Sequence, residues 1–94
     1  MRVVGRHLVG AFAQAHADAR PGLTLWLAAA EMTSWDRPQQ VLAEHRRASL
    51  IRGDLVVFRI KGNDYRLAAR IDFANGIVRI VAVGTHAEYD HWRL

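Results

Sequence analysis

The chain has no cysteine, which excludes a disulfide-stapled scaffold and any thiolate metal site and fits a reducing compartment. Proline is limited to Pro21 and Pro38, while 51% of the residues are apolar, so neither a Pro-rich linker nor a disordered tract is expected. Long apolar runs are missing as well. The longest, Leu25 to Ala30, falls far short of the ~20 residues needed to span a bilayer. Met1 to Arg6 holds nothing resembling the apolar core of a secretory leader. These absences point to a soluble protein of the cytoplasm. With no internal repeat, low-complexity tract or linker, the 94 residues (1–94) are expected to form one domain around one modest core.

What is present is positive charge, unevenly placed. Up to His45, Arg2, Arg6, Arg20 and Arg37 are matched by Asp18, Glu31, Asp36 and Glu44. From Arg46 onward, nine basic residues face only Asp54, Asp64, Asp72, Glu88 and Asp90, so the whole net charge of +4 lies in the second half. Such a field attracts phosphates in a salt-dependent way but by itself specifies no chemistry. A merely solubilising charged face gives the same composition.

The first half reads as helical. Met1 to Val4 is expected as a short strand. Leu8, Ala11, Phe12 and Ala15 follow at the i, i+3, i+4, i+7 spacing of one helix face, and a break is expected at Arg20-Pro21-Gly22. The second helix runs from Leu23 to Ser34 with Leu25, Trp26, Ala29, Ala30 and Met32 inward. Asp36-Arg37-Pro38-Gln39 resembles an acidic N-cap with Gln at N3, opening a third helix that ends near His45. Trp26 and Trp35 are read as core.

The second half reads as sheet. Val56, Phe58 and Ile60 alternate with Val57, Arg59 and Lys61, the period-two pattern of a half-buried strand. Lys61-Gly62-Asn63-Asp64 and Ala74-Asn75-Gly76 are turn chemistry. Between them, Tyr65, Leu67, Ala69 and Ile71 face inward, and Val78, Ile80 and Ala82 follow on the last strand, opposed by Ile77, Arg79, Val81 and Val83. The expectation is an α+β fold with N-terminal helices on one face of a twisted antiparallel sheet, in the order β-α-α-(α)-β-β-β. In that register Arg59, Lys61, Arg66, Arg70 and Arg79 share the face turned away from the helices, where a polyanion would relieve their repulsion.

The run Val57-Phe58-Arg59-Ile60-Lys61-Gly62-Asn63-Asp64-Tyr65-Arg66-Leu67, then Val83-Gly84-Thr85-His86-Ala87-Glu88-Tyr89-Asp90, resembles the signature of HigB-type toxins of bacterial type II toxin–antitoxin systems. Trp35-Asp36 matches the same pattern, and the resemblance extends over essentially the whole chain. It implies a RelE-like fold and messenger-RNA endonuclease activity, usually on translating ribosomes. It also implies a HigA-type antitoxin carrying a helix-turn-helix domain, so that DNA is met only through the antitoxin. Two positions depart from the pattern: Arg59 where the family often has Asn, and Asp64 where Lys is common. The first adds charge to the expected RNA face and the second removes it beside the turn.

Metal-free RNA cleavage by 2′-hydroxyl attack needs a proton acceptor, a proton donor for the leaving 5′ oxygen, and fixed cations where charge grows on the phosphorane. Arg66 cannot be a base, and its planar fork suits a phosphate clamp. The competing reading pairs it with Asp72 or Asp64. Lys61 is either a phosphate-holding charge, a base whose pKa neighbouring cations depress, or a plain turn lysine. His86, with a reference pKa of about 6.5, is favoured as general acid because it occupies the place of a functional basic residue in RelE-like relatives. Tyr89 either stacks on a base or donates to phosphate, or packs its ring on the sheet. Arg59, Arg70 and Arg79 are assigned to phosphate binding, and Glu88 and Asp90 to orienting His86 or Arg66. His86, Asp90 and His91 lack a fourth ligand, so no metal and no cofactor is assigned. Two alternatives stand beside the nuclease: a noncatalytic toxin of the ParE type on the same fold, and an RNA-binding module.

Overall fold

The computed structural model describes residues 1–94. In chain order the elements are β1 (Arg2–Val4), α1 (Arg6–Ala15), a 3-10 turn (Ala17–Ala19), α2 (Arg20–Met32), α3 (Pro38–Glu44), β2 (Ser49–Arg52), β3 (Leu55–Ile60), β4 (Tyr65–Asp72), β5 (Ile77–Thr85) and α4 (His86–Tyr89). The five strands form one sheet in the order β1-β5-β4-β3-β2. The meander β2 to β5 is antiparallel, but β1 joins β5 in parallel, Val3 opposite Val78. The α+β architecture is as the alternation implies, with a mixed sheet in place of an all-antiparallel one. Helix α1 follows β1 after only Gly5, whose positive φ of 96° makes the corner.

The main core lies between the helices and one sheet face. Leu23, Trp26, Ala30, Trp35 and Val41 meet Val56, Phe58, Ile60, Leu67, Ala69, Ile71, Val78 and Ile80, and Phe58 takes the edge of Trp26 at 5.2 Å between ring centroids. Trp26 and Trp35 are buried, as expected. Burial of each such side chain contributes about 1.5–3 kcal/mol.

The helical layer departs from the reading in detail. Pro21 and Gly22 lie inside the first turn of α2, where proline costs no hydrogen bond, and the break falls earlier, at the 3-10 turn. Gly22 allows close approach to the sheet, since a Cβ there would stand 2.9 Å from Ile60 Cγ2. Helix α1 buries Val9 and Ala13 with Leu8 and Phe12 at the margin, while Ala11 and Ala15 are exposed. On α2, Leu25 and Met32 point to solvent, 72% and 89% exposed, because the buried stripe runs through Leu23, Trp26 and Ala30. Asp36 does not cap α3; Arg37 holds the cap position without a side-chain bond, and Gln40 accepts from the Asp36 amide.

The sheet holds the larger correction. Val81 is an extra residue in β5: Ala68 pairs with Ala82, but Ala69 pairs with Ile80. This β-bulge turns Ala82 to the outer face and Val83 to the core, the reverse of uninterrupted alternation. The outer face is also not a bare basic surface. Leu55, Val57 and Ala68 form a second small core there, flanked by Ala82 of β5 and covered by Tyr89, Trp92 and Leu94 of the C-terminal segment. Arg52 of β2 donates to the Leu94 carbonyl and ties the end of that segment down.

Candidate functional site

With its centre occupied by apolar residues, the outer face carries arginines only at its two ends. Arg59 pairs with Arg66 across β3 and β4, and Arg70 with Arg79 across β4 and β5. Arg66 and Arg70 stand four positions apart on β4, which sets the two pairs about 13 Å apart at ~3.3 Å per residue. The seven expected site residues are therefore not brought together. Arg66, Arg59, His86 and Tyr89 gather at the end bearing the Lys61–Asp64 turn, and Arg70 and Arg79 stand at the other.

At the turn end, Arg66 is the one buried charged residue, 5% exposed. Its Nη1 donates to the carbonyl oxygens of Asn63 at 2.7 Å and Tyr65 at 3.2 Å, while Nη2 and Nε donate to no group of the chain. The Tyr89 ring covers it, 5.5 Å from Cζ to the centroid. Neither Asp64 nor Asp72 pairs with it. A buried guanidinium without a carboxylate is an unusual expense, only partly met by neutral acceptors and an aromatic face.

Asn63 organises more than Arg66. Its side-chain Oδ1 accepts from Arg59 at 2.9 Å and from Arg47 at 2.8 Å, so one turn residue gathers three arginines. The turn presents it through Lys61 at φ 53° and Gly62 at φ 65°, two consecutive left-handed residues. Arg47, and Arg46 beside it, were not legible as site residues. The signal was the adjacent pair Arg46-Arg47, which lies in a turn whose position became evident only with β2 in place.

His86 opens α4 directly after the strand. Thr85 and Glu88 form a reciprocal capping box, Glu88 N–H to Thr85 Oγ1 at 3.1 Å and Thr85 N–H to Glu88 Oε1 at 2.9 Å. The Thr85 amide accordingly holds the Glu88 carboxyl below its usual pKa. Glu88 thus orients the backbone rather than His86 or Arg66. The His86 amide donates to the Asp64 carbonyl at 3.1 Å, fastening α4 to the turn, and its Nδ1 lies 3.5 Å from Asp90 Oδ2. The imidazole is exposed.

Lys61 does not share the arginine face. Its ammonium crosses to the helical side and holds Asp18 at 2.8 Å, and the Tyr65 hydroxyl donates to the same carboxylate at 2.6 Å. The reason is its backbone: a left-handed residue just past the strand end no longer follows the strand's alternation. These contacts raise the Lys61 pKa, chiefly through the Asp18 hydrogen bond, and push Tyr65 up to about 12, while Asp18 is lowered. The expected depression toward a base is reversed.

At the far end one of the two cations, Arg70, has a carboxylate partner. Arg70 binds Asp54 at 3.0 Å. Arg79 stands near Asp72, whose carboxyl is held low first by Asn75 and to a lesser degree by Arg79. The four side chains line an open cavity of about 320 Å³. No three His, Asp or Glu side chains converge in a way that could hold a metal, and no helix is long and apolar enough to cross a membrane.

No curated protein matches the chain. A family model described as HigB_toxin, the RelE-like toxic component of a toxin–antitoxin system, matches residues 19–92, which takes in the basic turn, the bulged strand and α4. The chain therefore belongs to the HigB toxin family, with a RelE-like α+β fold and an antitoxin as its partner.

Proposed function

We propose that this toxin is a metal-independent endoribonuclease that cuts messenger RNA, on translating ribosomes, and so arrests growth. In this reading residues 1–94 act as a single cytoplasmic domain, and a HigA-type helix-turn-helix antitoxin neutralises it. The observation that carries the reading is Arg66: buried, without a carboxylate, and with Nη2 and Nε free of partners within the chain. A fork with unused donors in a poorly solvated place stabilises the growing charge of a phosphorane more than an exposed arginine would.

The RNA 2′-hydroxyl gives up its proton to solvent water as its oxygen bonds to the adjacent phosphorus, the P–O5′ bond breaks, and the products are a 2′,3′-cyclic phosphate and a 5′-hydroxyl. Arg66 clamps the nonbridging oxygens. His86 protonates the departing 5′ oxygen, with Asp90 Oδ2 3.5 Å from its Nδ1. Tyr89 moves off the guanidinium as substrate enters and stacks on a base or donates to phosphate. Arg59 holds a neighbouring phosphate, Lys61 contributes charge at the turn, and Arg70 and Arg79 meet the RNA only at long range.

The near-complete burial of Arg66 under Tyr89 favours a second reading, in which the arginine is a structural brace and the toxin acts by binding a protein target without cutting RNA. Mapping RNA 5′ ends in translating cells, with Arg66→Ala as control, separates the two. Discrete cuts within translated messages that bear 5′-hydroxyls and vanish in the variant support the nuclease. Growth arrest with intact messages supports the binding toxin.

A further inference from the structure

Beside the Arg66 site, over the edge of the sheet, lies a cleft of about 180 Å³ lined by His45, Arg46, Arg47, Ala48, Phe58 and Arg59. We propose that this cleft is a second phosphate-binding subsite, which grips the RNA backbone at a phosphate other than the one cleaved; the proposal rests on the nuclease reading above.

Three observations point there. First, the charge is uncompensated: none of Arg46, Arg47 and Arg59 takes part in any of the chain's ion pairs. Arg46 has no side-chain hydrogen bond at all, whereas Arg47 and Arg59 converge on the single Asn63 Oδ1. A neutral amide oxygen sets the direction of two guanidinium groups without cancelling their repulsion, and a phosphodiester supplies the missing charge in the geometry that arginine forks match.

Second, the cleft is continuous with the Arg66 site. Arg59 is the direct cross-strand neighbour of Arg66, and the Asn63 residue that holds Arg59 and Arg47 by its side chain holds Arg66 by its main-chain carbonyl. A strand of RNA that leaves Arg66 on the β3 side would pass this edge.

Third, the cleft is built for an anion rather than for an apolar anchor. Phe58 at its base is 1% exposed, its ring turned into the core against Trp26 and Trp35. Burial lowers the His45 pKa, so the guanidinium groups alone charge the wall. The volume corresponds to about six waters at ~30 Å³ each, room for a phosphodiester with part of its hydration.

The test is the salt dependence of binding to a single-stranded 2′-O-methyl RNA, which lacks the attacking hydroxyl and survives the measurement. Fluorescence anisotropy would follow the full-length wild type, the Arg46→Ala/Arg47→Ala double variant, and a charge-matched Arg2→Ala/Arg37→Ala control, with folding of each checked by circular dichroism. Each lost phosphate contact on a single strand lowers the log–log salt slope by ~0.7, so the cleft variant should fall by about 1.4 while the control keeps the wild-type slope. Equal slopes for the cleft variant and wild type overturn the subsite and leave the nuclease intact. An equal fall in the control reduces it to diffuse charge and overturns it too. A cleft variant that keeps the RNA slope but loses its antitoxin assigns the cleft to an acidic protein segment instead. A wild type that binds no free RNA overturns the subsite, while the ribosome-linked nuclease reading stands or falls separately on the mapping of RNA 5′ ends.

Discussion

The two ends of the sheet pose the same electrostatic problem and solve it differently. Each has two arginines directly opposite one another on adjacent strands, Arg59 with Arg66 and Arg70 with Arg79, an arrangement that is destabilising when left alone. At the far end the chain supplies a carboxylate to one of the two, Asp54 within 3.0 Å of Arg70, while the Asp72 carboxyl on the Arg79 side is bonded to Asn75. At the turn end it supplies only carbonyl oxygens, an amide and a tyrosine ring. Counting cations does not locate an anion site, because both ends score alike. What distinguishes them is the charge that the fold leaves without an answer.

The largest test of that contrast is catalytic. Arg66→Ala should lower RNA cleavage about 10²–10³-fold and His86→Ala about 10²–10⁴-fold, whereas Arg70→Ala and Arg79→Ala should change it by no more than about threefold. Single-turnover cleavage of one message by the four variants measures this, and equal losses at both ends would break the contrast.

A smaller effect comes from exchanging the solutions. Asn63→Asp places a carboxylate between Arg47 and Arg59 and gives the turn end the far end's chemistry. RNA affinity should drop about tenfold, or ~1.4 kcal/mol, while thermal stability holds or rises slightly. Undiminished affinity in that variant means uncompensated charge is not what recruits RNA. Next in size is Tyr89→Ala. Removing a ring stacked on a guanidinium costs about 0.5–2 kcal/mol, read as a lower melting midpoint and faster amide exchange in α4, with the Arg70 end unaffected.

The smallest is a pH effect confined to the turn end. Burial holds the His45 pKa below the free value, with Glu44 opposing weakly. The unfolded chain therefore takes up a proton near pH 6.5 while the folded chain does not, so stability is full above that pH and declines as pH falls toward the folded pKa. His45→Gln should remove this slope in denaturant titrations at pH 7 and pH 5.5. A slope unchanged by the substitution would assign it to other groups.

Where the chain obeys a simple period, the sequence was a good guide. Val56-Phe58-Ile60 and Tyr65-Leu67-Ala69-Ile71 all point inward as alternation demands, and the two turns between the strands fall where Gly and Asn are written. Legibility ended where a residue's position depends on something distant in sequence. Nothing local in Met1 to Val4 marks a parallel partner 75 residues away, Arg2 opposite Ile77. The exposed strand β2 carries no alternating burial to read, and with it went the place of Arg46 and Arg47. Lys61 and Arg66 sit five residues apart, yet only backbone dihedrals decide that one serves the helices and the other the outer face. Leu25 and Met32 are apolar and helical, which does not say which side of the helix the sheet will choose.

The extra residue in β5 amounts to a rule of parity. Between Ile80 on the core side and Gly84 beside Arg66 the count is offset by one, and only an odd insertion can hand a strand from one face to the other halfway along its length. Deleting Val81 would leave Ala82 outward and Val83 inward in a regular ladder, whereas pairing Val81 as an ordinary residue would send Ala82 inward and Val83 outward and turn everything beyond, including the start of α4, to the opposite side of the sheet. Inserting two residues would leave both faces as they are. Val81 is 41% exposed and touches none of the chemistry, yet its place outside the ladder decides which side of the molecule His86 and Tyr89 are delivered to.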